Sequence, residues 1–355
     1  MNLIDYGFIP SMLYSLDMPQ DEVPCLPARV TAVHKERYEL VCENGQIFGR
    51  LKTSVYYIDG GESFPTTGDF VLINFNQSGD SQIIKTLPRR SFFSRRDPTP
   101  GRGEQAVAAN FDYVFIMQSL NFDFNPKRME RYITLAWQSG AIPVLILTKA
   151  DLVEDFTEQI QAVEKVASGI GIYAVSAVSG AGLDALADYL KPRKTIVFLG
   201  SSGVGKSSLI NALADKEIMA VNEIREDDSK GRHTTTHRQL IMLDSGVMII
   251  DTPGMRELGM WDVSQGLGQA FSDVEQYFGK CKFKDCKHQT EPGCAVKVAI
   301  ENGELLPERW NSYLNLKREA KFFDDKGTYL HQKQQWYKEI AKLSKQKKKN
   351  GGIRK

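Results

Sequence analysis

The sequence predicts a multidomain α/β protein: a mostly parallel, doubly wound sheet, preceded by a small β-barrel and followed by a helical module built on a metal site. Three observations predict it. Strand-like and helix-like segments alternate from Phe111 onward, five short alternating strands fill residues 25–87, and three cysteines with a histidine crowd into residues 281–294. At 355 residues the chain exceeds one typical core, so several domains are expected.

Residues 1–24 form an N-terminal extension with four acids (Asp5, Asp17, Asp21, Glu22) and no Lys or Arg. In residues 25–87, ARVTAVH and RYELVC alternate apolar and polar positions. Glu43-Asn44-Gly45 supplies a hairpin turn before QIFGRL, and DFVLINF and SQIIKTL follow. Five short strands in about 60 residues suggest a closed barrel of OB type. Such barrels commonly bind nucleic acid, and a protein-docking role is the alternative. Residues 88–110 read as a linker interrupted by Pro and Gly, with five Arg near Phe92 and Phe93. Arg beside aromatics suits single-stranded nucleic acid, or the segment is a plain connector whose Phe residues pack on the barrel.

From Phe111 the rhythm changes. YVFIMQS reads as a buried strand, PKRMERYITLAWQSG as a helix closed by Gly140, and AIPVLIL as the next strand. A helix near 155–168, the strand IYAVSA, a helix near 182–190 and the strand TIVFL continue the alternation. After a polar stretch at 222–239, RQLIMLD and VMIID complete a domain expected over 111–270. This order predicts parallel strands with helices on both faces.

Hydrophobic content of 42% and charged content of 25% fit a globular protein. No apolar run approaches the ~20 residues of a membrane helix, and the N-terminus lacks the basic and apolar regions of a signal peptide. A cytoplasmic protein without membrane association is therefore expected, and nothing demands a dimer. Residues 331–355 hold nine Lys or Arg against one acid, Glu339, and end in a basic tail at 346–355. Such an end suits a phosphate backbone, or is a solvated tail.

Gly200-Ser201-Ser202-Gly203-Val204-Gly205-Lys206-Ser207 fits the phosphate-loop pattern G-x-x-x-x-G-K-[ST] and continues into Ser208. It follows an apolar strand and opens a helix, the context the motif requires. Its glycines let backbone N–H groups turn toward phosphate oxygens, and the helix N-terminus adds positive potential. Lys206 is expected to reach the β- and γ-phosphates and Ser207 to ligate Mg²⁺. About 45 residues later Asp251-Thr252-Pro253-Gly254 ends VMIID. Asp251 is placed to hold Mg²⁺, and the Gly254 N–H to sense the γ-phosphate. Between them, Gly231-Arg232-His233-Thr234-Thr235-Thr236 can supply a further Mg²⁺ ligand. The sequence does not choose among the three threonines, and Thr235 is carried as the candidate.

Upstream, Thr148-Lys149-Ala150-Asp151 follows AIPVLIL, and Ser176-Ala177 follows a strand ending at Val175. The Asp151 carboxylate can accept hydrogen bonds from guanine N1–H and the exocyclic amine, which adenine cannot supply in the same places. Lys149 packs along the base, and backbone N–H near Ser176-Ala177 meets the guanine carbonyl. These elements belong to a GTPase read in rotated order, with the base-reading pair before the phosphate loop. Because a doubly wound sheet binds at the carboxyl ends of its strands, moving the termini leaves the site intact.

Cys281-x₄-Cys286-x-His288-x₅-Cys294 supplies three thiolates and one imidazole. Soft ligands with no open position suit a tetrahedral structural Zn²⁺, one per chain. The site would fold a mainly helical zinc-binding domain over 271–345.

With permuted motifs, a barrel before them and a Cys-Cys-His-Cys cluster after them, the chain resembles the ribosome small-subunit-dependent GTPase A family over roughly residues 25–345. The most specific parts are GSSGVGKSS (200–208), GRHTTT (231–236), DTPG (251–254) and the cysteine cluster. The resemblance implies a circularly permuted P-loop GTPase domain with an OB-type β-barrel and a zinc-binding domain. It also implies GTP hydrolysis stimulated by the small ribosomal subunit and its rRNA during late maturation of that subunit. Two positions depart from common GTPase patterns. Thr148 stands where Asn is usual, weakening the expected contact to guanine N7. Met255 stands where Gln often orients the attacking water, so slow turnover alone is expected, with His233 and His237 as candidate water-positioning groups. Rival readings are an RNA-binding module gated by GTP and an ATP-using enzyme that shares only the phosphate loop.

Overall fold

The computed structural model describes residues 2–14, 25–35, 37–58, 63–96, 104–121, 124–219, 238–251 and 264–321. The basic tail lies outside them. Two compact units divide the chain: Met1–Ser94 with Ala106–Leu258, and Arg95–Gln105 with Gly259–Lys355.

In the first unit, β1 (Leu26–His34), β2 (Arg37–Cys42), β3 (Gly45–Leu51), β4 (Phe70–Asn74) and β5 (Ser81–Thr86) form a barrel. Their order is β1-β2-β3-β5-β4, and β4 returns to pair with β1, which leaves no open edge. Only β3 and β5 run parallel; this is the expected OB-type arrangement. Alternate residues Ala28, Val30, Tyr38, Leu40, Val71, Ile73 and Ile83 fill the interior. A Cβ on Gly49 would lie 2.6 Å from Leu40 Cδ1, so a larger residue there would require the Leu40 side chain to shift.

Residues 88–110, expected as an irregular linker, contain two strands, β6 (Phe92–Arg96) and β7 (Glu104–Ala109), paired as a ribbon. Packing supplies the reason. Phe93 is buried and stacks on Phe111 with ring centroids 4.8 Å apart, while Arg89 lies 4.3 Å over the Phe92 ring. The Pro- and Gly-rich 97–103 lies outside the described residues.

The mostly parallel part of this unit's sheet comprises β8 (Tyr113–Ser119), β9 (Ile142–Thr148), β10 (Gly171–Ala174), β11 (Thr195–Gly200), β12 (Gln239–Met242) and β13 (Met248–Asp251). The order β10-β9-β8-β11-β13-β12 is parallel except for antiparallel β12 at its end. Consecutive residues Val114, Phe115 and Ile116 are all fully buried, the mark of a strand covered on both faces. Helix α1 (Pro126–Gln138) begins with Pro126 at its first turn, capped by the Asn125 side chain accepting from Arg128 N–H. It packs on β8 and β9. α2 (Thr157–Glu164) and α3 (Lys206–Ala214) follow. The helix expected near 182–190 is only a 3₁₀ turn at Asp184–Leu186. Tertiary packing overrides local propensity there: Leu186 is fully buried, and Tyr189 is set edge-on to Tyr113, Phe115 and Tyr173.

Barrel and parallel sheet are continuous, because β1 pairs with β12 at Ala32 and Gln239. Arg29 fastens them. It is buried to 1% exposure and donates to the carbonyls of Tyr6, Gly68 and Asn110, to Thr195 Oγ1 and to Met248 Sδ. Burial, chiefly, and the nearby Arg90 charge push its pKa down to about 9, so it stays cationic at neutral pH. Its partners are neutral, four oxygens and one sulfur drawn from the N-terminal segment, the barrel, the residue after β7, β11 and β13.

The second unit is helical: α4 (Ser264–Ala270), α5 (Ser272–Glu275), α6 (Ala295–Glu301) and α7 over 307–321. Phe271, Val274, Val296, Ala299 and Tyr313 are among its buried apolar residues. Buried Arg309 clamps Asp273 with bonds of 2.9 and 3.0 Å and lies 3.9 Å over the Phe271 ring. Among the described residues no helix is long and apolar enough to cross a membrane.

Candidate functional site

The phosphate-loop residues 200–208 join the end of β11 to the start of α3. Gly203 and Gly205 take φ of 72° and 96°, left-handed values that let neighbouring N–H groups turn to one side. Gly205 caps α3 without a side chain, so the first-turn N–H groups of this helix remain the local donors. Lys206 Nζ lies across the loop, donating to Gly200 O at 3.0 Å and Ser201 O at 2.8 Å. Val204 is buried, while Ser201, Ser207 and Ser208 are half-buried and Ser202 is exposed.

Strand register sets the loop after β9, which carries Thr148-Lys149-Ala150-Asp151, beside this one. Gly200 pairs with Met117, and Thr148 with Ser119, so the loops after β11 and β9 flank the end of β8. Thr148 is buried, and its hydroxyl donates to Val204 O at 2.7 Å. The residue that replaces the usual Asn thus ties one loop to the other. Lys149 adopts left-handed φ of 60° and leads into the 3₁₀ turn Ala150–Leu152, on which Asp151 is exposed. Ala150 N–H donates to Val175 O at 3.2 Å, which brings the loop after β10 alongside. Ser176 is fully buried, its hydroxyl accepting from Val178 N–H and Ser179 N–H, while Ala177 is half-buried. A Cβ on Gly182, at φ 73°, would meet Ala174 O at 2.2 Å, so this loop folds back only with glycine there.

Asp251 ends β13, half-buried and paired in register with Gln239. Gly254, Met255, His233, Thr235 and His237 lie outside the described residues. Asn211 was not singled out from the sequence. From α3 its carboxamide accepts from Ile218 N–H at 3.0 Å and Met219 N–H at 2.8 Å and donates to Met219 O at 2.8 Å. It fixes residues 218–219, the last described before 238, to the phosphate-loop helix. A polar side chain inside the apolar run LINAL was the available signal.

In the second unit, the donor atoms of Cys281, Cys286, His288 and Cys294 all lie within 4.8 Å of one another. His288 Nδ1 stands 3.4, 3.7 and 3.4 Å from the three sulfurs. A tetrahedral ion with zinc-like bond lengths separates sulfur from nitrogen by about 3.5 Å, so these residues fit one. The loop is held for that shape. His288 takes φ 58°, Ala295 N–H points at Cys281 Sγ (3.3 Å), and the Phe278 ring stacks on His288 at 4.6 Å. Glu291, also missed in the sequence, accepts from Lys287, Gln289 and Thr290 N–H. Bonds from its own N–H and those of Gln289 and Lys287 hold its carboxyl down at about 2.

Comparisons with known proteins agree with this geometry. The family model described as RsgA GTPase matches residues 86–261. A relative from Listeria monocytogenes serotype 4b (strain F2365), the "Small ribosomal subunit biogenesis GTPase RsgA 2", is 50% identical over 83% of this chain and 83% of its own. The "Small ribosomal subunit biogenesis GTPase RsgA 1" of Oceanobacillus iheyensis is 39% identical over 99% of this chain and 100% of its own. Among solved structures, YjeQ from Thermotoga maritima is similar with a TM-score of 0.63 and 26% identity, covering 82% of this chain and 97% of that one. YloQ, described as a circularly permuted GTPase, is similar with a TM-score of 0.60 and 25% identity over 86% and 99%. By its motif order, strand topology and relatives, the chain belongs to the RsgA GTPase family and is a circularly permuted GTPase.

Proposed function

We propose that this GTPase acts in late maturation of the small ribosomal subunit, which stimulates its turnover, and that it binds rRNA through the barrel, the zinc-binding domain and the basic segments. The observation that carries the chemistry is the bond from Thr148 to Val204, which makes base reading and phosphate binding parts of one site. The names of the relatives, small ribosomal subunit biogenesis GTPases, support the partner.

In this reading Asp151 reads guanine, Lys149 and Ala150 border the base, and Ser176-Ala177 receive its carbonyl. Residues 200–208 wrap the phosphates, with Lys206 neutralising charge between the β- and γ-groups. Ser207, Thr235 and Asp251 would hold magnesium, which spreads phosphate charge when bound with GTP. The Gly254 N–H senses the γ-phosphate, and Met255 leaves water positioning to His233, His237 or a group on the subunit. Cys281, Cys286, His288 and Cys294 hold one structural zinc. The functional division is 25–87 for the barrel, 111–270 for the GTPase domain and 271–345 for the zinc-binding domain, in a cytoplasmic monomer.

Phosphate release from GTP and ATP, with and without purified small subunits, tests the reading. GTP-specific release that rises with subunits is expected, and in Asp151→Asn the preference for GTP over ATP should fall about 100-fold. Turnover indifferent to subunits would remove the partner, and unchanged base preference would remove Asp151 from its role.

A further inference from the structure

A groove of about 980 Å³ runs between the cysteine loop and α7. Its walls carry Lys284 and Lys287 on one side and Lys317, Arg318 and Lys321 on the other, all exposed. None of its lining residues is acidic. Lys317 and Lys321 stand one helical turn apart, about 6 Å along the axis, on the same side of α7. Phe283, 43% exposed, lines the same groove, with the Lys282 ammonium 5.7 Å from its ring.

An exposed aromatic ring in a concave groove whose charged lining residues are all Lys or Arg has the two elements that single-stranded nucleic acid requires. Phosphates meet the ammonium and guanidinium groups, and an unstacked base covers the ring. A duplex satisfies only the first, because its bases are stacked on one another. An acidic protein segment would satisfy the charges and leave the ring exposed. We infer that this groove takes an unpaired nucleotide of RNA, its base stacked on Phe283 and its flanking phosphates on Lys317, Arg318 and Lys321. The inference rests on the rRNA-binding reading above and deepens it: this unit reads an unpaired site, not a helix.

The test uses the full-length, zinc-loaded protein and three probes: a single-stranded RNA containing 2-aminopurine, the same RNA in a duplex, and small subunits. The single strand should bind more tightly than the duplex and its fluorescence should be quenched. Phe283→Ala should weaken single-strand binding roughly 5- to 100-fold and abolish quenching, while Phe283→Trp retains both. Replacing Lys317, Arg318 and Lys321 together with Ala should flatten the dependence of log affinity on log salt by about 2. Zinc content of one per chain verifies that each variant is folded. Wild-type quenching and affinity in Phe283→Ala, or equal affinity for duplex, overturns the groove. So do variants that lose subunit binding yet bind the oligonucleotide normally, an outcome that assigns the groove to a protein. Subunit-stimulated hydrolysis that persists while the groove fails leaves the earlier reading standing. Oligonucleotide results as expected with no subunit binding keep the groove and overturn that reading instead.

Discussion

The phosphate loop and the cysteine loop are both turns through left-handed residues, yet they are held in opposite ways. The first has glycine at its left-handed positions, and its shape is imposed from outside. Buried β11 and β8 fix one end, α3 the other, and the Thr148 hydroxyl grips Val204 between them. The second places a histidine in left-handed backbone and depends on its own side chains, with three thiols and an imidazole converging and Glu291 bracing the turn. A loop set in a large sheet inherits its order from the core. A loop in a small helical unit needs a staple.

Removing the staple should separate the two most sharply. Zinc-finger sites contribute on the order of 10 kcal/mol to folding. Chelation, or Cys294→Ser, should therefore abolish hydrogen-exchange protection across residues 271–321 while leaving β8 and β11 protected. Retained protection in the second unit would show that its apolar core suffices and would erase the contrast.

A smaller effect sharpens the other side. Thr148→Val keeps the shape but leaves Val204 O without its donor in a buried place, costing about 1–3 kcal/mol. GTP affinity, read by calorimetry, should fall roughly 5- to 100-fold with selectivity over ATP preserved. Unchanged affinity would mean the loop is fixed by the sheet alone.

The smallest expected change is Asn211→Ala, which frees the residues at 218–219 from α3. With about 1 kcal/mol per lost bond set partly against water, GTP affinity should drop only a few-fold. Exchange at Ile218 and Met219 should quicken more than that. Equal exchange in both proteins would sink the tether.

Much of this was legible because the chemistry is local. The phosphate loop, the barrel strands and the cysteine-histidine cluster declare themselves by spacing, since turn geometry, strand alternation and tetrahedral ligation each constrain neighbouring positions. What sequence could not give was set by contacts between distant segments. The hydroxyl of Thr148 looks like a weakened Asn until Val204, 56 residues away, is placed beside it. Residues 182–190 have helical composition, but Tyr189 settles among aromatics of the sheet instead. The ribbon β6–β7 was hidden for the same reason, as nothing near Phe93 announces Phe111.

Arg29 carries a consequence for how the chain can be divided. Of its five partner atoms only Gly68 O lies within residues 25–87; the others belong to Tyr6, Asn110, Thr195 and Met248. A barrel cut out at its strand boundaries would hold an arginine with one bond left, and a fragment beginning at 111 would leave Thr195 Oγ1 without that donor. Hydrogen bonds from a charged donor contribute about 1.5–3 kcal/mol each, so losing four of them removes a large share of what a small domain has in reserve. Barrel, N-terminal segment and parallel sheet are therefore expected to melt in one calorimetric transition, and the smallest piece that folds by itself to be larger than the smallest piece that looks like a domain.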